Sequence, residues 1–433
     1  MSVAPVDIAI VGAGAAGLAT AIFVRELNPS CRVVLLEGAK KPGAKILVSG
    51  GGRCNVTNVR VSERDFWGGR APIIRRILKG FTVEQTTAFF ARLRVTLHEE
   101  ADGKLFPDSN RARDVLDALV GEAARLGTPV VSGHRVLGIA RTQDGFELST
   151  AGGILVARHV VLATGGQSLP RSGSDGFGYE LAKGLGHTIV PTTPALAPLV
   201  LAVTPGALHT RLSGVAHEAA LTVWIDGRVS IRLQGSMLWT HFGISGPLAL
   251  NLSRHWARAR AAGATASVTL SFLPGTTLEG ADRWLQGLAA DRPRASLATL
   301  LATRLPASVA DALVASIGAD AAAHARSGRL QPARDRPASQ LTREERLRAA
   351  RALVEWPLAV TETRGYNYAE ATAGGVSLDE IEPATMESRK CRGLFLVGEV
   401  LDVDGRIGGF NFQWAWASAR TAGRSLAQRA ARK

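Results

Sequence analysis

Residues 7–37 constrain this chain more than any other stretch. An apolar run, Ile8-Ala9-Ile10-Val11, leads into Gly12-Ala13-Gly14-Ala15-Ala16-Gly17 and an apolar helical run from Leu18 to Leu27. A second apolar run, Val33-Val34-Leu35-Leu36, ends at Glu37. Strand, glycine turn, helix, strand and acid, in that order, make the βαβ unit that binds a dinucleotide. Gly12 permits the tight turn, Gly14 lets the backbone approach a pyrophosphate, and Gly17 lets helix and strand pack closely. Ala13, Ala15 and Ala16 complete the cofactor-binding loop. The helix N-terminus offers free N–H groups and a partial positive charge to the phosphates. Glu37 can accept hydrogen bonds from an adenosine ribose.

At 433 residues the chain exceeds one comfortable domain. Its 46% hydrophobic and 20% charged content excludes wholesale disorder. Residues 8–24 are apolar enough to imitate a signal peptide, but no basic segment precedes them and the glycine pattern accounts for their apolarity. No other run has the length and apolarity to span a bilayer, so the chain reads as cytoplasmic. The three cysteines, Cys31, Cys54 and Cys391, lie far apart. That argues against a zinc site and against the paired cysteines of disulfide reductases; no metal is expected. A net charge of +14 implies a partner carrying phosphates or an acidic surface.

The next informative stretch is Lys40 to Asn58. Consecutive glycines, Gly50-Gly51-Gly52, are incompatible with regular helix or strand on entropic grounds. Around them lie Lys45, Ser49, Arg53, Cys54, Asn55, Thr57 and Asn58, a dense set of hydrogen-bonding groups. Glycines beside such groups suit a backbone pressed against a flat ligand.

Ser49-Gly50-Gly51-Gly52-Arg53-Cys54-Asn55-Val56-Thr57-Asn58 resembles the signature of the BaiN/RdsA family of FAD-dependent oxidoreductases. Ala163-Thr164-Gly165-Gly166, Thr385-Met386-Glu387-Ser388, the stretch from Gly393 to Gly405, and Gly408-Gly409-Phe410-Asn411-Phe412-Gln413-Trp414-Ala415 are similar to the same family. The likeness is weakest between about Arg260 and Glu355. It implies one extended FAD site: Lys45, Gly52, Arg53, Ala163, Thr164, Gly165, Phe410 and Asn411 join the βαβ loop and Glu37. Val136 would lie against the adenine, and Glu399, after Gly398, would hold ribityl hydroxyls. Gly408 and Gly409 would turn free N–H groups to the flavin O2. Cys54, tuned by the neighbouring Arg53, would exchange a proton with substrate, and Asn55 would orient substrate or flavin.

Elsewhere, Val130 to Val161 alternates as a small antiparallel sheet does. Pro191, Pro194 and Pro198 punctuate a boundary. A strand-rich stretch from Leu199 to Leu273 follows, with a hairpin turn at Asp226-Gly227 and a compact loop at Trp239–Pro247 carrying His241, more a structural histidine than a proton donor. From Thr277 to Glu355 the pattern is helical. Residues 254–351 contain fifteen arginines against eight acids, either a solvated face or a phosphate-contacting one. The expected class is α/β: a Rossmann-like, two-dinucleotide-binding-type FAD domain split in sequence (residues 1–190 and 369–433). Inserted in it are a β-rich substrate domain (191–276 and 356–368) and a helical subdomain (277–355), with a substrate cleft between FAD domain and insert.

The expected activity is hydride transfer through flavin N5. Gly173-Ser174-Asp175-Gly176-Phe177-Gly178 follows a Pro/Arg loop rather than a strand, so NAD(P)H is expected as a transient electron donor. The resemblance implies three activities: saturating uridine in ribosomal RNA, reducing enoyl bile-acid intermediates, and oxidising aminoacetone with O2. A non-enzymatic alternative is an RNA-binding flavoprotein with structural FAD. Charge favours structured RNA, with Arg60, Arg64, Arg70, Arg75 and Arg76 following the signature closely.

Overall fold

A computed structural model describes residues 5–204, 207–324 and 337–430, without side chains for 318–324. The chain divides into two compact units: one runs to Ala195 and resumes at Tyr366, and the other is Leu196–Gly365.

The first unit is built on a mostly parallel sheet. Strand β1 (Val6–Val11) is buried along nearly its whole length, which is what a strand covered on both faces requires. It pairs in parallel with β2 (Val33–Glu37) on one side and with Gly153–Leu162 on the other, Ile10 lying opposite Leu35 and Val161. Helix α1 (Ala15–Leu27) connects β1 to β2. Its apolar residues leave no hydrophilic stripe through the middle turns, so the C-terminal helix Phe410–Ala430 packs against it. The two helices approach closely at Gly423, where a Cβ would stand 2.8 Å from that of Phe23.

Val130 to Val161 differs from the small antiparallel sheet expected. Val130–Ser132 follows helix Ala112–Arg125 and enters the main sheet parallel to β2, as strand–helix–strand crossovers do. Val136–Arg141 and Phe146–Thr150 do form antiparallel ribbons, but Gly153–Leu162 is one continuous strand. Its first half pairs with that ribbon and its second half with β1 and Leu394–Leu396.

The second unit holds a seven-stranded sheet. Ala216–Ile225 and Arg228–Thr240 form its long hairpin; Asp226 and Gly227 both have positive φ, as a tight two-residue turn demands. The Trp239–Pro247 segment is not a loop. His241 and Phe242 are the tip of a second hairpin, Gly243–Ser245 returns beside Trp239, and a helix begins at Gly246. Helices Leu278–Asp291, Leu297–Leu301, Ala307–His324 and Arg343–Val354 share one core with the sheet, in which Leu285, Leu301, Leu313 and Leu353 join Leu221 and Leu270. Residues 325–336 of the arginine-rich stretch lie outside the described residues. No helix among those described is long and apolar enough to cross a membrane.

Candidate functional site

The glycines of the β1–α1 turn serve separate constraints. Gly12 has φ +103°, and a Cβ there would sit 2.5 Å from the carbonyl oxygen of Ala163. A Cβ on Gly17 would lie 1.9 Å from the carbonyl oxygen of Gly12. A Cβ on Gly14 would meet nothing within 4 Å. Gly14 therefore borders open space at the N-terminus of α1, where no side chain caps the helix and the first turn carries no acid. Uncapped N–H groups facing an unfilled shelf fit the pyrophosphate of FAD. Ala13, Ala15 and Ala16 line the turn. Glu37 closes it: its Oε2 accepts from the Ala13 N–H (2.9 Å) and its Oε1 from the Ala39 N–H (2.8 Å). Each oxygen keeps a lone pair for a ribose hydroxyl.

Ala163, Thr164 and Gly165 come to the same place, since the Ala163 N–H donates to the Val11 carbonyl at 2.9 Å. The strand beginning at Val136 starts beside the Glu37-Gly38 turn: Arg135 Cβ lies 3.4 Å from where Gly38 would carry a Cβ. Val136 itself is buried.

At Gly398-Glu399 the chain passes the same N-terminal end of α1. A Cβ on Gly398 would lie 2.9 Å from that of Ala16, and its carbonyl accepts from Trp414 Nε1 at 3.1 Å. The Glu399 carboxylate is the centre of a half-buried cluster. Lys45 Nζ donates to Oε2 at 2.5 Å; Ser168 Oγ (3.0 Å) and the Thr372 N–H (2.8 Å) donate to Oε1. Ser168 and Thr372 escaped sequence reasoning. Their signal was a hydroxyl kept among small residues, in Gly165-Gly166-Gln167-Ser168 and Ala371-Thr372-Ala373.

The signature turn is left-handed through Gly50, Gly51 and Gly52 (φ +56°, +69° and +86°), and Cys54 follows at φ +62° although it carries a side chain. The Cys54 thiol is fully buried, and burial pushes it up to about 12. The expected tuning by Arg53 is corrected. The Arg53 guanidinium lies 4.1 Å over the Phe106 ring and donates to Glu100 at 2.6 Å, an interaction that engages its charge elsewhere.

Asn55 binds backbone. With donors facing acceptors, its amide donates to the carbonyls of Thr57 (2.8 Å) and Leu105 (3.2 Å) and accepts from the Gly409 N–H (3.2 Å). The expectation that Gly409 keeps a free N–H is therefore corrected as well. Asn55 holds the Gly408-Gly409 turn against the signature, which a Cβ on Gly409, 2.4 Å from Thr57 carbonyl carbon, would prevent. Asn411 clamps the same turn by exchanging two hydrogen bonds with the Gly405 backbone (2.8 and 3.2 Å). Phe410 packs edge-on against Phe66. Gln413, also missed, accepts from the hydroxyls of Thr57 (2.7 Å) and Thr86 (2.9 Å) and donates to Phe81. Gly52 is exposed, and His241 lies in the second unit, at its hairpin tip. The structure thus gathers the βαβ loop, Glu37, Ala163–Gly165, Gly398-Glu399 with Lys45, and the signature with Gly408-Gly409 in a single unit.

The family described as HI0933-like protein Rossmann domain matches residues 6–425. The chain is 33% identical over 422 residues to a 3-dehydro-bile acid delta(4,6)-reductase of Clostridium scindens, covering 98% of this chain and 99% of that protein. It is 33% identical over 413 residues to a ribosomal RNA dihydrouridine synthase of Escherichia coli, covering 95% and 96%, and 31% identical to a protein of the same name from Haemophilus influenzae, covering 97% and 98%. With its glycine shelf and signature turn in place, the chain belongs to the HI0933-like, or BaiN/RdsA, family and is an FAD-dependent oxidoreductase.

Proposed function

We propose that the protein reduces a carbon–carbon double bond with electrons from NAD(P)H, and that its substrate is uridine in ribosomal RNA. When bound, FAD supplies the hydride chemistry. The observation that carries the reading is the pair of full-length relatives at 33% identity, one named for reduction at a delta(4,6) position and the other for making dihydrouridine. Dihydrouridine differs from uridine by saturation of one C=C bond, so both names describe the same bond change.

The chain's own residues have defined tasks in this reading. The α1 shelf and Glu37 bind the adenosine diphosphate end. Lys45, Ser168 and Thr372 fix the Glu399 carboxylate, leaving it one lone pair for a ribityl hydroxyl. Asn55 and Asn411 hold the Gly408-Gly409 turn rigid. Cys54, in the signature turn, is the proposed proton source for the carbon beside the one that receives hydride. Full burial pushes its thiol up to about 12 and makes it a weak acid. The role is tested by Cys54→Ala, which should slow turnover with FAD still bound. Charge separates RNA from a small enone. A neutral metabolite has no use for +14, whereas phosphates reward each cation by releasing counterions. A target uridine would have to unstack to lie flat against the flavin, as base-modifying enzymes require.

A second reading, a small-enone reductase, is favoured by the likeness to the bile acid reductase. Stopped-flow spectroscopy of the flavin-loaded enzyme tests the reductase class. Rapid bleaching by NADPH is expected; bleaching by amines instead would make it an amine oxidase, and neither response would leave FAD a structural role.

A further inference from the structure

We propose that the exposed cations of residues 60–79, joined by Arg406, form the face that docks the phosphodiester backbone of RNA beside the flavin turn. The proposal rests on the RNA reading and locates the contact surface within it.

The helix Ala71–Lys79 is sharply two-sided. Ile74, Ile77 and Leu78 are buried, while Arg75, Arg76 and Lys79 are exposed. The short turn Glu63–Asp65 is fixed to this helix by the Arg75–Glu63 ion pair at 2.5 Å. It is fixed to the C-terminal segment by Arg406 Nη1 on Asp65 at 3.1 Å and by the Arg406 N–H on the Asp65 carbonyl at 3.0 Å. Both acids of the patch are thus already matched, and Asp379 matches Arg70 at 2.7 Å. Arg60, Arg76 and Lys79 remain as exposed cations in no ion pair among the described residues. Arg64, likewise exposed and in no ion pair among them, neighbours only Glu63, which Arg75 already matches.

The patch is anchored to the flavin turn by covalent sequence and by pairing. Phe66–Gly68 pairs antiparallel with Val403–Gly405, Trp67 opposite Asp404, and Arg406 follows that strand directly into Gly408-Gly409. Arg75, Arg76 and Lys79 climb one helical turn, about 5 Å along the axis. Cations spread along a turn and continued by Arg64 and Arg60 suit a repeating chain of phosphates better than a single anion.

The test uses the FAD-loaded enzyme and an unmodified ribosomal RNA transcript. Affinity is measured by filter binding across a salt series for the native protein, for Arg64→Glu/Arg76→Glu/Lys79→Glu, and for a charge-matched control, Arg292→Glu/Arg294→Glu/Arg304→Glu. Flavin content and the rate of flavin bleaching by NADPH are followed in all of them. The patch variant should lose about three from the slope of log affinity against log salt, one per phosphate contact removed, with flavin content and bleaching unchanged. The control should keep the native slope. A patch variant with the native slope, or a control that falls equally, overturns the proposal while leaving RNA as substrate. A native protein that neither binds the transcript nor forms dihydrouridine in it overturns the RNA reading and the proposal together.

Discussion

Substituting alanine at two glycines of the β1–α1 turn, Gly14 and Gly17, three residues apart in sequence, should have opposite consequences. At Gly17 the added Cβ would lie 1.9 Å from the Gly12 carbonyl oxygen and 3.1 Å from its carbon, both backbone atoms that cannot rotate away. Helix and turn must separate by more than an ångström, at the upper end of the overpacking cost, about 3 kcal/mol. That is a large fraction of the roughly 5–15 kcal/mol that holds a domain folded. At Gly14 the backbone is extended (φ −84°, ψ −166°) and a Cβ meets no protein atom within 4 Å. Gly14→Ala should therefore leave the apo protein within about 0.5 kcal/mol of native. Its methyl occupies the shelf instead. Displacing a phosphate from one charge-assisted hydrogen bond costs about 1.5–3 kcal/mol, roughly 10- to 150-fold in FAD affinity. Urea melts of the apo proteins and calorimetric titration with FAD separate the two effects. Gly14→Ala that binds FAD like the native protein, or Gly17→Ala whose apo form melts like it, refutes the reasoning.

Lys45→Met should destabilise the apo protein by about 1–3 kcal/mol, because the half-buried Glu399 carboxylate loses its hydrogen-bonded cation; adding Glu399→Gln should recover part of the loss in urea melts. Burial raises the Cys54 thiol from an ordinary 9.0 to about 12, so any stability it contributes is complete below pH 9 and is lost as pH rises towards 12. Iodoacetamide at pH 8 should accordingly leave Cys54 unlabelled in the folded protein and label it in urea, as read by peptide mass. His187 is buried, with Nδ1 2.9 Å from Glu380 and Nε2 2.8 Å from the Ser388 hydroxyl. Burial lowers its imidazole below the ordinary 6.5, so the unfolded chain takes the proton first and its contribution is lost as pH falls below 6.5. His187→Gln should show a flatter fall in melting temperature between pH 7 and pH 5 than the native protein.

What the sequence made legible depends on how far apart the cooperating residues lie. The βαβ unit could be read because its constraints are local: Gly12, Gly14 and Gly17 are set by a single turn, and Glu37 reaches back to Ala13 across one helix. The left-handed run at Gly50-Gly51-Gly52 was legible for the same reason. Ser168 and Thr372 were not, because they meet Glu399 from 231 and 27 residues away and no periodic pattern marks such a meeting. Asn55 and Arg53 read as ligand-facing groups because a sequence shows donors and acceptors without their partners. Asn55 is satisfied by backbone at Leu105 and Gly409, and Arg53 by Glu100 and Phe106. Val130–Ser132 was misjudged because a short β-branched run suits either sheet, and only the helix before it directs it into the parallel one.

The most direct test of the proposed activity is the mass-mapped dihydrouridine content of ribosomal RNA from cells with and without this gene. The account predicts that a dihydrouridine present in the parent strain disappears on deletion. It should return in full with the native gene and less completely with one encoding Gly14→Ala, whose shelf holds FAD roughly 10- to 150-fold more weakly. An unchanged dihydrouridine level after deletion would contradict the account and leave reduction of a small enone as the better assignment.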